Sequence, residues 1–310
     1  MHPLRIRLTP ASPKAALVTR ARAMRGELRE LPSLRGTERD EAIHSGVGLL
    51  RSARNDSLHA MRRLISFLIA LMLAAPVTAA APQPQNRDMI LIYSGTTGYR
   101  HDSIPAGIKA VTALAAERGL RVVASEDPSV FSAASLKRFR AIVLLSCTTD
   151  PKNPASEWLV GNRRDALQQF VRNGGGVLAI HAAADSHYNW PWYSRLIGGH
   201  FARHPQGTPK GIVTVVAPGD PAVKGLPRTV SRVDEWYYFD DYDPVSKVLV
   251  TLDPQSIGEK DINPNPVAWT REINSGRVFY TAMGHTKESY SEPFFLRHLG
   301  LGLDWVLKRR

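Results

Sequence analysis

His181 follows the apolar run "VLAI" (Val177–Ile180) directly. A run of that kind reads as a buried strand, so His181 stands on a strand-to-loop corner. α/β hydrolases display a nucleophile at such a corner. Here no Ser or Cys occupies it, and nucleophilic acyl transfer lacks its attacking group. An imidazole in that place can act as a general base, orient a hydroxyl or bind a metal. The competing reading is a histidine bonded to neighbouring backbone. Further on, His200 and His204 are four apart in "GGHFARHP". On a helix that spacing would put both on one face and suit a divalent metal such as Zn. Gly198, Gly199 and Pro205 argue against a stable helix, and no Glu lies between the two, so the pair is a metal proposal awaiting a third ligand. His187 falls in a loop and is as well suited to solvent as to a ligand.

Three other stretches carry usable groups. "VDEWYYFDDYDP" (Val233–Pro244) sets carboxylates beside aromatics. Carbohydrate sites need this mixture: rings to stack on sugar faces, polar groups for hydroxyls, and an acid or base for C–O chemistry. Glu235 is the acid/base candidate, with Trp236, Trp190 and Trp192 as stacking candidates, while Asp240–Asp243 read as a solvated turn. "SGTTGYRHDS" offers Tyr99, Arg100 and His101 for substrate, in a loop before a helix. "GRVFYTAMGHT" delivers His285 beyond a late strand.

These groups can meet only if the elements between them bring them to one edge. "DMILIYSG", "LRVVAS", "AIVLLSC" and "VLAI" read as strands, and "IPAGIKAVTALAAERG" and "SEWLVGNRRDALQQFVRNGGG" as helices that end in glycine. Such alternation predicts an α/β fold with a doubly wound, flavodoxin-like parallel sheet. The second half, with "GIVTVVA", "EWYYF", "KVLVTL", "NPVAWTRE" and "GRVFYTAMG", predicts an antiparallel β-rich extension, closed by a C-terminal helix. In an open parallel sheet ligands bind beyond the carboxyl ends of the strands. His101, His181 and His285 all follow strand ends. Gly174–Gly176 lie at the opposite edge and read as a helix stop and tight turn.

Met61 opens "MRRLISFLIALMLAAPVTAAAPQPQ", the charged, apolar and small-residue pattern of a signal peptide over 61–80, with cleavage near Ala79 or Ala80. Residues 1–60 then read as a start placed too early or as a disordered extension. The working domain is expected over 88–310, in a periplasmic or secreted setting. The apolar run is too short to span a bilayer comfortably, so no stable membrane anchor is expected in the mature form. The chain's formal charge is +12. Residues 81–310, however, hold 27 Lys+Arg against 22 Asp+Glu with no basic cluster, which removes most support for nucleic acid as a partner. The lone Cys147 excludes an intramolecular disulfide and reads as a buried strand-end thiol.

The stretches "GYRHDSI", "GGGVLAIHAA", "WPWYSRLIGGHFARHP", "VDEWYYF", "PVAWTRE" and "GRVFYTAMGH" resemble the trehalose-utilisation (ThuA-like) family, whose fold is similar to class I glutamine amidotransferases. The resemblance runs in order from about Met89 to Arg309. It implies a pocket built by the segments holding His101, His181, His200, His204, Glu235 and His285, with His181 in the place of the amidotransferase cysteine. Without that thiol, glutamine hydrolysis is not expected. The resemblance further implies sugar catabolism, of disaccharides and their keto derivatives above all. The expectation is an exported enzyme acting on a glycoside or keto-glycoside, with His181 and Glu235 handling protons and His101 and His285 binding substrate or metal. The alternatives are a carbohydrate-binding protein without catalysis and an interaction module of a secreted complex. A small carbohydrate is the expected partner, and a homo-oligomer is compatible with the sequence.

Overall fold

The computed structural model describes residues 88–308. The expected signal peptide at 61–80 and residues 1–60 lie outside the described residues. No helix among those described is long and apolar enough to cross a membrane.

The first half supplies β1 (Met89–Tyr93), β2 (Arg121–Ser125), β3 (Ala141–Leu145) and β4 (Gly176–Ile180). Every residue of β3 and β4 is buried, as are the last four of β1. A parallel strand covered on both faces has no solvent side, hence the unbroken apolar runs. Helices α1 (Ile104–Ala116), α2 (Ala133–Leu136) and α3 (Asn162–Arg172) connect these strands. α1 buries Ile104, Val111, Leu114 and Ala115. The chain leaves it through Gly119 at φ +66°, a left-handed turn that glycine adopts without a Cβ clash.

The second half adds α4 (Pro191–Ile197), β5 (His200–Arg203), β6 (Lys210–Val215), β7 (Thr229–Val233), β8 (Tyr238–Asp240), β9 (Lys247–Asp253), β10 (Asn265–Ile273), β11 (Gly276–Thr281) and α5 (Pro293–Val306). Among the described residues nine strands form one sheet in the order β2-β1-β3-β4-β11-β10-β9-β6-β7. Those from β2 to β11 run parallel, and β10, β9, β6 and β7 continue it antiparallel. The mixed α/β fold with an antiparallel extension is therefore the one the sequence predicts. β5 and β8 form a separate antiparallel ribbon.

Two local readings change. "EWYYF" is not one strand: pairing begins only at Tyr238, and residues 234–237 run irregularly into the site. "HFAR" and "TVSRV" are strands the sequence did not announce. β7 is the outermost strand of the sheet, and its polar alternation looks like a loop.

The three glycines before β4 are architecture. Gly174 takes φ +88°. A Cβ on Gly176 would lie 2.5 Å from the Val306 carbonyl oxygen, because the end of α5 crosses the start of β4 there. Gly176→Ala should therefore cost about 1–3 kcal/mol, since a backbone must move to admit the methyl group. Gly219→Ala, where a Cβ meets nothing within 4 Å, should stay within about 0.5 kcal/mol. Urea unfolding of both variants measures the difference, and equal midpoints would contradict the close approach.

Candidate functional site

The pairing of β4 with β11 builds the centre of the site. Ile180 stands opposite Thr281, so the next residues, His181 and Ala282, emerge side by side. His181 Nδ1 lies 2.7 Å from the Ala282 carbonyl oxygen. A carbonyl only accepts, so Nδ1 carries the proton and donates it, and neutral imidazole keeps its lone pair on Nε2. His181 adopts φ +52°, a left-handed conformation that is uncommon for a residue with a Cβ. The corner is held by the Tyr280 hydroxyl, which donates to the His181 carbonyl at 3.0 Å.

His181 Nε2 faces His285 Nδ1 at 3.2 Å and Glu235 Oε2 at 3.5 Å. His285 Nδ1 is 3.1 Å from the same carboxylate oxygen. His101 arrives from the loop after β1 and stands edge-on to both rings, 4.8 Å from His181 and 5.1 Å from His285 between centroids. One ligand atom from each of His101, His181, Glu235 and His285 lies within 4.8 Å of the others. Among the described residues these four side chains are a group that could hold a metal.

A buried ion pair fixes Glu235 against His285. The Asp234 carboxylate accepts the backbone N–H groups of Gly284 at 2.8 Å and His285 at 2.9 Å, and that of Glu235 at 3.0 Å. Arg232 neutralises it from β7 and also donates to Glu292 and Ser289. One charge pair thus ties the irregular segment 234–237 to the turn that carries His285.

Burial presses the His101 pKa down to about 2, helped by the neighbouring His181 and His285 rings, so this ring is neutral. Burial alone would raise the Glu235 carboxyl, but the neighbouring His181 and His285 rings outweigh that and hold it below the usual range. The bond to Glu235 in turn raises His285.

A cavity of about 360 Å³ opens over the cluster, lined by Tyr99, His101, Asp185, Phe201, His204, Glu235, Tyr237 and His285. A second cavity of about 570 Å³ shares Tyr99, Asp185 and Phe201 with it. None of the residues lining either cavity is Lys or Arg. His181 is fully buried behind the lining, so it meets a ligand only through His285, Glu235 or a bound ion.

Of the groups singled out in the sequence, Tyr99, His101, His204, Glu235 and His285 line the cavity and His181 stands behind them. Arg100 does not: it pairs with Glu126 at 2.7 Å on the surface. The three tryptophans are not stacking platforms in this cavity. Trp236 is fully buried, packs over Gly211 and donates its indole N–H to the Pro209 carbonyl at 2.9 Å. Trp190 is buried between Trp192 and Tyr193 under the Arg164 guanidinium. Tyr99, Phe201 and Tyr237 supply the aromatic wall instead.

His200 and His204 do not form the metal pair that a helical spacing would give. His200 lies in extended β5, buried and stacked on Tyr188 at 4.9 Å, and a strand carries residues four apart to about 13 Å from one another. His204 instead reaches Glu235 Oε1 at 3.2 Å. His187, read as a loop histidine, is wholly buried, with Nε2 accepting the Leu159 N–H at 3.0 Å. The sequence missed Asp185, Phe201 and the Arg232–Asp234 pair. Only the pair left a trace, as opposite charges two apart at a strand end.

The family model for trehalose utilisation (ThuA) matches residues 89–306. The chain belongs to the ThuA family. Two crystal structures of proteins described as putative ThuA-like share its fold. One, from Bacteroides uniformis, is 24% identical with a TM-score of 0.58 and covers 74% of this chain and 94% of its own. The other, from Parabacteroides merdae, is 19% identical with a TM-score of 0.57, covering 71% and 89%. No curated protein matches the chain.

In this ThuA family member the Arg232–Asp234 pair is almost without solvent contact. Arg232→Met should therefore leave a buried carboxylate uncompensated and lower stability by about 3–5 kcal/mol. Denaturant unfolding checks this, and a loss below about 1 kcal/mol would mean that the pair does not bear on the site's assembly.

Proposed function

We propose that this protein processes a small neutral carbohydrate, a glycoside or keto-glycoside, and that the His/Glu cluster is the reactive centre. The observation that carries the reading is the convergence of four sequence-distant groups, His101, His181, Glu235 and His285, at the carboxyl edge of the parallel sheet, beneath an aromatic-walled cavity. The absence of Lys and Arg from the lining favours a neutral polyhydroxylated ligand over a phosphorylated one. Membership of a family described by trehalose utilisation points the same way.

A ketone on a sugar ring acidifies the neighbouring C–H. A base and an electrophilic group can then isomerise the sugar or break its glycosidic bond without a covalent nucleophile. Glu235 is the lining group suited to take that proton, with His204 Nδ1 3.2 Å away to stabilise its charge. His181 sits behind them and orients Glu235 and His285. Asp185, whose carboxyl burial raises despite its bond to the Tyr188 hydroxyl, lies where the two cavities join and faces hydroxyl groups of the ligand. The signal pattern at Met61–Ala80 supports a periplasmic or secreted setting for this work.

A binding protein without catalysis would use the same wall, and exposed Tyr99 at the mouth suits it. Incubation with trehalose and with its mono-keto derivative, followed by chromatography, separates the two readings. New product is expected from the keto sugar, and Glu235→Gln should lower kcat/KM by about 100-fold or more. Full turnover by that variant would remove Glu235 from the chemistry. Saturable binding with no product would establish the binding protein.

A further inference from the structure

We propose that His101, His181, Glu235 and His285 hold one divalent transition-metal ion, of the class that includes zinc, through three imidazole nitrogens and one carboxylate oxygen. Three of the four ligand atoms already have the required spacing. His181 Nε2, His285 Nδ1 and Glu235 Oε2 form a triangle with sides of 3.1, 3.2 and 3.5 Å. A tetrahedral ion with bonds of about 2.0–2.1 Å has edges of about 3.3–3.4 Å. His101 brings a fourth ligand atom no more than 4.8 Å from these.

Hydrogen-bond accounting leads to the same ion. The His181 Nδ1–H donates to the Ala282 carbonyl, so Nε2 arrives as a lone pair. Glu235 Oε2 arrives as another. The only proton that can lie inside the triangle is one on His285 Nδ1, and it cannot bond fully to both acceptors. His101 Nδ1 is buried with no hydrogen-bond partner. A cation satisfies all the converging lone pairs at once.

The surroundings have the outer shell that metal ligands require. Metal-bound histidines characteristically donate their second N–H to a carbonyl or carboxylate, which fixes ring and tautomer; His181 does so to Ala282. Glu235 turns Oε1 toward His204 Nδ1 at 3.2 Å, a nitrogen that also lies 2.7 Å from the Pro205 carbonyl, and keeps Oε2 for the ion. Asp234 fixes the backbone of Glu235 and His285 together.

The donor set selects the metal class. Imidazole nitrogens suit zinc and its first-row neighbours, whereas calcium and magnesium prefer oxygen ligands. No cysteine takes part, so thiolate-seeking ions have no advantage. Three of the ligand residues also line the cavity, which leaves a ligand oxygen a path to the ion, as in catalytic rather than closed structural sites.

The test uses metal alone, on chelator-treated protein without an affinity tag. Titration with Zn²⁺ should show one ion per chain, and Co²⁺ should develop the visible absorption of a low-coordinate, nitrogen-bound ion. His285→Ala and Glu235→Gln, each checked for folding by circular dichroism, should weaken binding by more than about 100-fold, beyond what an outer-shell partner usually costs. His200→Ala should leave it unchanged. The proposal is overturned if the folded protein takes up no stoichiometric ion, if both ligand variants bind as tightly as the parent, or if His200→Ala abolishes uptake. The carbohydrate reading fails separately. An ion that binds while no sugar is bound or turned over sinks the function and leaves the site. Turnover by protein that takes up no stoichiometric ion sinks the site and leaves the function.

Discussion

The hydrogen bond from His181 Nδ1 to the Ala282 carbonyl is the constraint on which the site depends. It joins residues 101 positions apart, and it exists because β11, one of the last elements in the chain, inserts beside β4 in the middle of the sheet. A slip of one residue in that pairing would move every side chain of β11 to the opposite face. It would also take the carbonyl away from the imidazole. With the register in place, the tautomer of His181 is settled by backbone, and its lone pair faces the cluster.

The second constraint is electrostatic. Removing Arg232 and Asp234 from water costs more than an isolated pair returns, so a buried bridge is poor evidence for stability by itself. Here the cost is offset because Asp234 also accepts three backbone N–H groups and Arg232 donates to Glu292 and Ser289. The result is positional. The antiparallel half of the sheet contributes Glu235, the parallel half contributes His181, and Asp234 holds the His285 turn between them.

Sequence reasoning brought His101, His181 and His285 to one edge because each follows a strand whose apolar run is unmistakable, while the family resemblance added Glu235 together with His200 and His204. Glu235 was legible as a carboxylate among aromatics. It failed where burial decides the role. In "DEWYYF" the chain leaves regular pairing, so Trp236 turns down onto Gly211 while its neighbour Tyr237 turns up to the cavity wall; period-two alternation cannot say which of two adjacent rings meets a ligand. Trp190 beside Trp192 looks like a sugar platform in sequence and is a packed stack in the fold. His200 and His204 misled because a spacing of four carries meaning only on a helix.

The chain's single thiol sharpens what the corner histidine can do. Burial pushes the Cys147 thiol up to about 12, so at neutral pH it offers no thiolate, and it lies away from the cavity lining. The corner itself presents an imidazole whose one free nitrogen points at a carboxylate and a second imidazole. Such a centre has no group suited to covalent acyl transfer. It is suited to moving protons and polarising an oxygen. The walls follow the same logic: carboxylates at Asp185 and Glu235, hydroxyl-bearing rings at Tyr99 and Tyr237, and no fixed cation in the lining. Such walls offer acceptors and hydroxyls with no Lys or Arg among them, and on that chemistry the proposed neutral carbohydrate rests.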